Sequence, residues 1–382
     1  MNDPRDILKT LVGFDTTSRN SNLDLIDWVE AYLADLGART ERIASGDGRK
    51  ANLHAVLGPE EDGGIVLSGH TDVVPVDGQD WSCDPFELTA REGRLYGRGT
   101  CDMKGFIACA LAAAPGFAKA KLKKPVHFAF SYDEEVGCLG APAMIRAMMA
   151  GSPRPRLAIV GEPTNMQVVT GHKGLFSMHV ELHGKEAHSS RVNDGACAVT
   201  HAVPLMNFLY EEAQKLKDAA PADSPFDPPY GTLTIGQMGG GTAVNILAKQ
   251  AWFFWLMRPA PWDDAPDIAR RLREKAVEIE ARMRESAPEA RVSVTQRSDV
   301  PPLKPEADGE AEHLARQLTG DNATRTVSYG TEAGQFQEAG LSVVVCGPGS
   351  IEQAHQGDEF IEESQIEACM SFLGKLEKRL AG

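Results

Sequence analysis

The chain has 382 residues, 42% of them hydrophobic and 24% charged, and carries a net charge of −15. That length exceeds what one core ordinarily fills, so two domains are expected, and the composition is that of a soluble globular protein. The acidic balance argues against nucleic acid or an anionic membrane as partner, and no apolar run approaches the roughly 20 residues of a membrane span.

The opening stretch, Met1-Asn2-Asp3-Pro4-Arg5-Asp6, leads directly into an amphipathic helix and lacks the layout of a secretion signal. The seven cysteines (83, 101, 109, 138, 197, 346 and 369) are odd in number and form no Cys-x-x-Cys pair. Reduced thiols in a cytoplasmic protein are therefore expected.

In chain order, helices are predicted over 4–14 and 22–36, the second with Leu23, Ile26, Val29, Tyr32 and Leu33 at helical spacing. Strands at 51–57, 64–69, 125–132 and 157–160 then alternate with helices at 104–121 and 139–150. Continuous apolar strands in such alternation indicate an α/β fold, a mostly parallel sheet with helices on both faces.

Beyond Gly171 the rhythm changes. Phe176–Leu182 alternates apolar and polar residues, and the elements up to Gln296 follow the order β-α-β-β-α-β. That order describes an antiparallel sheet with helices on one face. An α+β domain spanning 173–298 is thus expected to be inserted into a first domain made of 1–172 and 299–382. The α/β rhythm resumes there, with strands at 326–329 and 342–346 and helices at 309–318, 331–339 and 363–380.

Metal-type residues recur at the carboxyl ends of the predicted parallel strands, where such sheets collect their ligands. His70 ends one strand, with Asp72 two residues on as an orienting group. Glu134 and Glu135 follow the next strand, Glu162 ends another, and Asp102 lies in a Gly-rich turn before an apolar helix. His355 adds a second imidazole from the loop after the 342–346 strand. Imidazole and carboxylate in this ratio favour zinc, with cobalt or manganese as substitutes. Five ligands suit two ions that share one carboxylate. Singly, each residue has a plainer reading: a structural His, a helix N-cap at Asp102, a solvated turn at Glu134 and Glu135. Arg258, closing a strand at 252–257, either grips a carboxylate or is a solvated strand end.

The motifs SGHTDVVP, GRGTCDMKG, SYDEEVG, GEPT, GKEAHSS, YGTEAG and GPGSIEQAH resemble the di-zinc amidohydrolases, the family of acetylornithine deacetylase, succinyl-diaminopimelate desuccinylase, aminoacylase and carboxypeptidase-type enzymes. The resemblance implies a catalytic α/β domain with an inserted dimerisation lid. It implies His70, Asp102 and Glu162 on one zinc and Asp102, Glu135 and His355 on the other, with Glu134 as general base and Asp72 hydrogen-bonded to His70. It also implies that His188 polarises the substrate carbonyl from a neighbouring subunit, so that a homodimer is needed, and that Asn245 and Arg258 hold a substrate carboxylate. Asn245 is otherwise a turn residue. Relatives often carry a Pro shortly after the Ser pair, whereas this chain has Arg191-Val192-Asn193.

The substrate so implied is a small N-acyl-L-amino acid. The segments Tyr329–Gly334 and Val345–His355 are most similar to the acetylornithine-hydrolysing branch, whose reaction belongs to arginine biosynthesis. On that reading Glu332 faces the ornithine ammonium; its plainer reading is a first-turn helix residue. N-acetylcitrulline, N-succinyl-diaminopimelate and short peptides are alternatives that the motifs separate poorly. A metal-binding protein without catalysis would lack Glu134 or a ligand, and neither is missing.

Overall fold

The protein is described by a computed structural model over residues 3–382, so Met1 and Asn2 of the opening stretch lie outside the described residues. In chain order the elements are α1 (Pro4–Val12), α2 (Leu23–Asp35), β1 (Arg39–Ala44), β2 (Ala51–Leu57), β3 (Gly64–His70), β4 (Thr89–Arg91), β5 (Arg94–Tyr96), α3 (Lys104–Lys119), β6 (Val126–Ser131), α4 (Ala141–Ala150), β7 (Pro155–Pro163) and β8 (Gly171–His172). They continue with β9 (Leu175–His183), α5 (Ala198–Asp218), β10 (Thr232–Gly240), β11 (Gln250–Arg258), α6 (Ala265–Arg284), β12 (Arg291–Val300), α7 (Glu310–Thr319), β13 (Thr326–Val327), α8 (Ala333–Glu338), β14 (Ser342–Gly347), β15 (Phe360–Glu362) and α9 (Glu363–Ala381).

Two compact units result. One runs to Gly171 and resumes at Leu303–Thr326 and Thr331–Gly382; the other is His172–Pro302 with Val327–Gly330. The second unit thus begins at His172 rather than 173, ends at Pro302 rather than 298, and takes in a short segment from beyond the insertion. Within it, strand β12 continues to Val300, paired with Leu175, and the Lys173 amide donates to the Val327 carbonyl at 3.3 Å.

The first unit is built on a six-stranded sheet of order β1-β2-β6-β3-β7-β14. Pairs β6–β3, β3–β7 and β7–β14 are parallel, while β1 and β2 are added antiparallel at one edge. Every residue of β2, β3 and β6 is buried, as a sheet covered on both faces requires. Helix α3 is buried almost all round, with Phe106, Ile107, Leu111 and Phe117 in the core. Each such side chain contributes about 1.5–3 kcal/mol on burial. A small sheet, β15-β5-β4, lies beside the turn that leads into α3.

The second unit has an antiparallel sheet of order β10-β11-β9-β12, and its helices α5 and α6 share one core with it. Phe176, Met178, Val180 and Leu182 of β9 face that core, while Ser177, His179, Glu181 and His183 alternate on the other side. Among the described residues no helix is long and apolar enough to cross a membrane.

Candidate metal centre

The four parallel neighbours β6, β3, β7 and β14 open their carboxyl ends along one edge of the first unit. His70 closes β3 opposite Ser131 of β6, and Glu134 and Glu135 follow in the turn after β6. Glu162 lies at the end of β7, His355 in the loop after β14, and Asp102 in the turn between β5 and α3. Two groups of donor atoms form there: His70, Asp102 and Glu162, and Asp102, Glu135 and His355, each with its atoms within 4.8 Å of one another.

Asp102 divides its carboxylate between the groups. Its Oδ1 is 2.9 Å from His70 Nε2, and its Oδ2 is 3.2 Å from His355 Nε2. Glu135 Oε2 stands 3.1 Å from the same His355 nitrogen, and Glu162 Oε1 stands 3.8 Å from His70 Nε2.

Backbone detail sets these positions. Gly99 has φ +80°, and a Cβ there would meet Val73 Cγ1 at 2.6 Å, so the turn toward Asp102 closes only with glycine. At Gly161 a Cβ would enter the Phe106 ring at 2.0 Å, so the strand bearing Glu162 lies flat on α3. His355 itself has φ +64°, a left-handed conformation, and Gln79 Nε2 donates to its carbonyl at 2.8 Å.

His70 Nδ1–H donates to the main-chain carbonyl of Asp72 at 2.9 Å, while the Asp72 carboxylate is 3.7 Å from that nitrogen. The link between His70 and Asp72 therefore runs through the backbone. The Asp72 carboxylate instead accepts the Glu134 amide at 3.1 Å, the Glu135 amide at 3.3 Å and the Ser18 hydroxyl at 2.7 Å. It orders the turn that carries both glutamates.

The electrostatics test whether divalent cations fit. With Nδ1–H spent on a carbonyl, a neutral His70 points its Nε2 lone pair at carboxylate oxygens, an arrangement that needs a proton or a cation between them. Burial, with neighbouring charges, lifts the Glu134 carboxyl to about 8 and Glu135 to about 7. Burial and the adjacent Asp102 charge push Glu162 well above the usual range. Hydrogen bonds to Asp102 and Glu135 raise His355 to about 10. His70 also rises well above its ordinary value, because its bond to Asp102 and nearby carboxylates outweigh the opposing effect of burial. So many acidic groups, competing for protons around two imidazoles, form a donor set that two divalent cations would satisfy.

The other residues singled out in the sequence belong to neither donor group. His188, Asn245 and Arg258 belong to the second unit. There the Ser189 amide donates to the Asn245 carbonyl at 2.9 Å, which brings the His188 and Asn245 loops together. His188 is exposed, and its Nδ1 accepts the Ser190 amide at 3.2 Å and lies 2.8 Å from the Ser190 hydroxyl. Glu332 belongs to the first unit, close to His70 and Glu134. It is 1% exposed, and its oxygens accept from Ser131 Oγ and, at 3.3 Å, from Ser68 Oγ, behind the strand ends. The helix it introduces begins at Ala333, and packing turns this residue into the protein interior.

Several contributors were not singled out from the sequence. Ser18 holds Asp72, Cys138 Sγ–H donates to Glu134 Oε1 at 3.2 Å, and Glu359 accepts amides of the Asp102 turn. The only sequence signal was that Cys138 and Glu359 lie close to motif residues.

Comparison with known proteins agrees with this geometry. The model of peptidase family M20/M25/M40 matches residues 66–379. An acetylornithine deacetylase of Myxococcus xanthus is 37% identical over 383 aligned positions, covering 99% of this chain and 97% of the relative. An acetylornithine deacetylase of Pasteurella multocida is 35% identical, covering 96% and 94%. Among solved structures, a metallo-carboxypeptidase of family M20 from Sulfolobus solfataricus superposes with a TM-score of 0.77 at 16% identity, covering 100% of this chain and 99% of that one, and so shares the fold. With a family model spanning most of the sequence and relatives matched nearly end to end, the chain belongs to peptidase family M20/M25/M40 and is one of its metal-dependent hydrolases.

Proposed function

We propose that the chain hydrolyses N2-acetyl-L-ornithine to acetate and L-ornithine, a step of arginine biosynthesis, in the cytoplasm. The observation that carries the hydrolytic part is the meeting of two donor groups on Asp102 with Glu134 alongside. The substrate is narrowed by the relatives, which are named acetylornithine deacetylases at 37% and 35% identity.

His70, Asp102 and Glu162 would hold one cation and Asp102, Glu135 and His355 the other, with zinc favoured by the donor set and cobalt or manganese as substitutes. Such a pair, when bound, acidifies a water and polarises the acyl carbonyl. Glu134 takes the proton of the attacking water as oxygen adds to the acyl carbon. It passes that proton to the amine nitrogen as the C–N bond breaks, leaving acetate and the free amine. The Asp72 carboxylate and the Cys138 thiol hold this glutamate by its amide and its Oε1.

His188 is read as the carbonyl's second donor. With Nδ1 accepting from Ser190, its proton resides on Nε2, free to meet the developing oxyanion. Asn245 and Arg258 are assigned to the substrate carboxylate, where a guanidinium gives a bidentate grip.

A homodimer formed through the second unit is part of the proposal. Its edge strand β10 and helix α5 expose Met238, Val203 and Tyr210, apolar groups that a second copy would cover. Mixing His188→Ala and Glu134→Ala chains should restore activity if His188 acts across subunits; no recovery would show that each protomer works alone.

The direct test is acetate release from a panel of N-acyl amino acids, with and without a chelator. N2-acetyl-L-ornithine should lead the panel, and chelation should abolish turnover. Preference for N-succinyl-diaminopimelate, N-acetylcitrulline or a dipeptide would overturn the substrate assignment, and activity indifferent to thorough chelation would overturn the metal assignment.

A further inference from the structure

We propose that Glu359 is a positioning residue that holds the Asp102 turn in register with His355, and so fixes the carboxylate common to both donor groups. The inference rests on Asp102 being the shared metal ligand. Glu359 is 1% exposed and four residues beyond His355 in the same loop. Its Oε1 accepts the amides of Cys101 at 2.9 Å and Asp102 at 3.1 Å. Its Oε2 accepts the Gly99 amide at 2.9 Å and Arg98 Nη1 at 2.7 Å. Three of the four donors are therefore backbone N–H groups of the turn that ends in Asp102.

The loop around Glu359 is anchored independently of that carboxylate. The Gly97 amide donates to the Glu359 carbonyl at 3.0 Å, and the next residue, Phe360, pairs with Tyr96. The Ser82 amide donates to Asp358 Oδ1 at 2.8 Å. One short loop thus delivers an imidazole to the site and, through a buried anion, grips the backbone of the carboxylate that meets this imidazole.

The geometry separates this role from that of a generic buried ion pair. Arg98 touches one oxygen of Glu359 once, and both oxygens are otherwise spent on amides. An anion held by the N–H groups of Gly99, Cys101 and Asp102 dictates where those amides point, and the Asp102 side chain leaves the backbone at the last of them. Displacement of Asp102 would weaken both donor groups together, because each of its oxygens serves one of them.

The test uses the full chain, stripped of metal and titrated with Zn2+ and with Co2+, whose absorption reports ligand geometry. Glu359→Gln should fold, as judged by circular dichroism, and should bind both cations more weakly by about 10–100-fold, the usual cost of losing an outer-shell partner. The Co2+ spectrum of the loaded variant should also change. Glu212→Gln is the control. It breaks another ion pair with a buried carboxylate, in which half-exposed Arg271 meets both Glu212 oxygens at 2.7 Å in the second unit, and should lower thermal stability without moving metal affinity. If Glu359→Gln does not fold, Glu359→Asp keeps the charge near Arg98, draws the oxygens back from the amides, and carries the same expectation. Either folded variant binding both cations with wild-type affinity and spectrum would overturn the positioning role alone. A wild-type chain that takes up no pair of cations would instead overturn the metal reading beneath it.

Discussion

Glu134 and Glu135 are adjacent in sequence, yet their carboxylates have different partners. Glu135 stands against His355, while Glu134 Oε1 accepts from the Cys138 thiol and belongs to neither donor group. Glu134→Ala should therefore leave metal content unchanged and lower kcat by about 10²–10⁴, the range for loss of a general base. Elemental analysis and turnover on one sample decide it, and metal lost in step with activity would make Glu134 a ligand. Residues of this kind were legible because a His or Glu at the end of an apolar strand has few other reasons to be there. Ser18, Cys138 and Glu359 were not, because their roles exist only in three dimensions: Glu359 reaches an amide 257 residues away. Glu332 is legible only as a motif residue; its burial and its bond from Ser131 appear in three dimensions alone.

At the scale of elements, the parallel core was readable from its unbroken apolar strands and the second unit from its alternation. Strand β1 was not, because its residues are exposed or half-exposed and carry no apolar period. Nor were β4, β5 and β15, each three residues long. The paired strands β2 and β6 hide a further property. His54 and His127 stack at 5.3 Å with His54 Nε2 3.0 Å from His127 Nδ1, so one ring donates and the other accepts. Burial, with the adjacent positive charges, lowers His54 to about 4 and His127 to about 3. The unfolded chain, titrating near 6.5, binds these protons first, so the pair's contribution is full above pH 6.5 and is lost as pH falls toward 4. One such histidine costs on the order of 3 kcal/mol across that window. Replacing one titrating ring, as in His54→Gln, should flatten the fall of urea-unfolding free energy between pH 6.5 and 4.5. An unchanged or steeper slope would show that the pair is not what titrates.

For the whole molecule, the change of rhythm near Gly171 disclosed an insertion, but no local pattern marks Val327–Gly330 as part of it; among its ties there is a bond from the Lys173 amide to the Val327 carbonyl. The unevenly placed acidity of a chain with net charge −15 has a consequence for stability as well as for catalysis. Without cations, burial and neighbouring charges hold Glu134 near 8, and Glu135 and Glu332 near 7, against 4.5 in an unfolded chain. Each raised carboxyl contributes stability that is fully present below pH 4.5 and is lost as pH rises through its folded value. His355, raised to about 10 by Asp102 and Glu135, acts in the same direction above pH 6.5. The window from pH 6.5 to 8 lies above the titration of the His54–His127 pair; Lys104, lowered by burial to about 7, opposes these groups there but is one against four. Each extra proton held by the folded state weighs about 1.4 kcal/mol per pH unit. The chelated protein should therefore melt at a lower temperature at pH 8 than at pH 6.5. Cations take the place of the protons, so added zinc should raise the melting temperature at both pH values and more at pH 8. Calorimetry on the same preparation, chelated and zinc-loaded, measures all four states. A chelated protein that is more stable at pH 8, or a zinc effect larger at pH 6.5, would mean that the clustered carboxylates are not the strain that metal binding relieves.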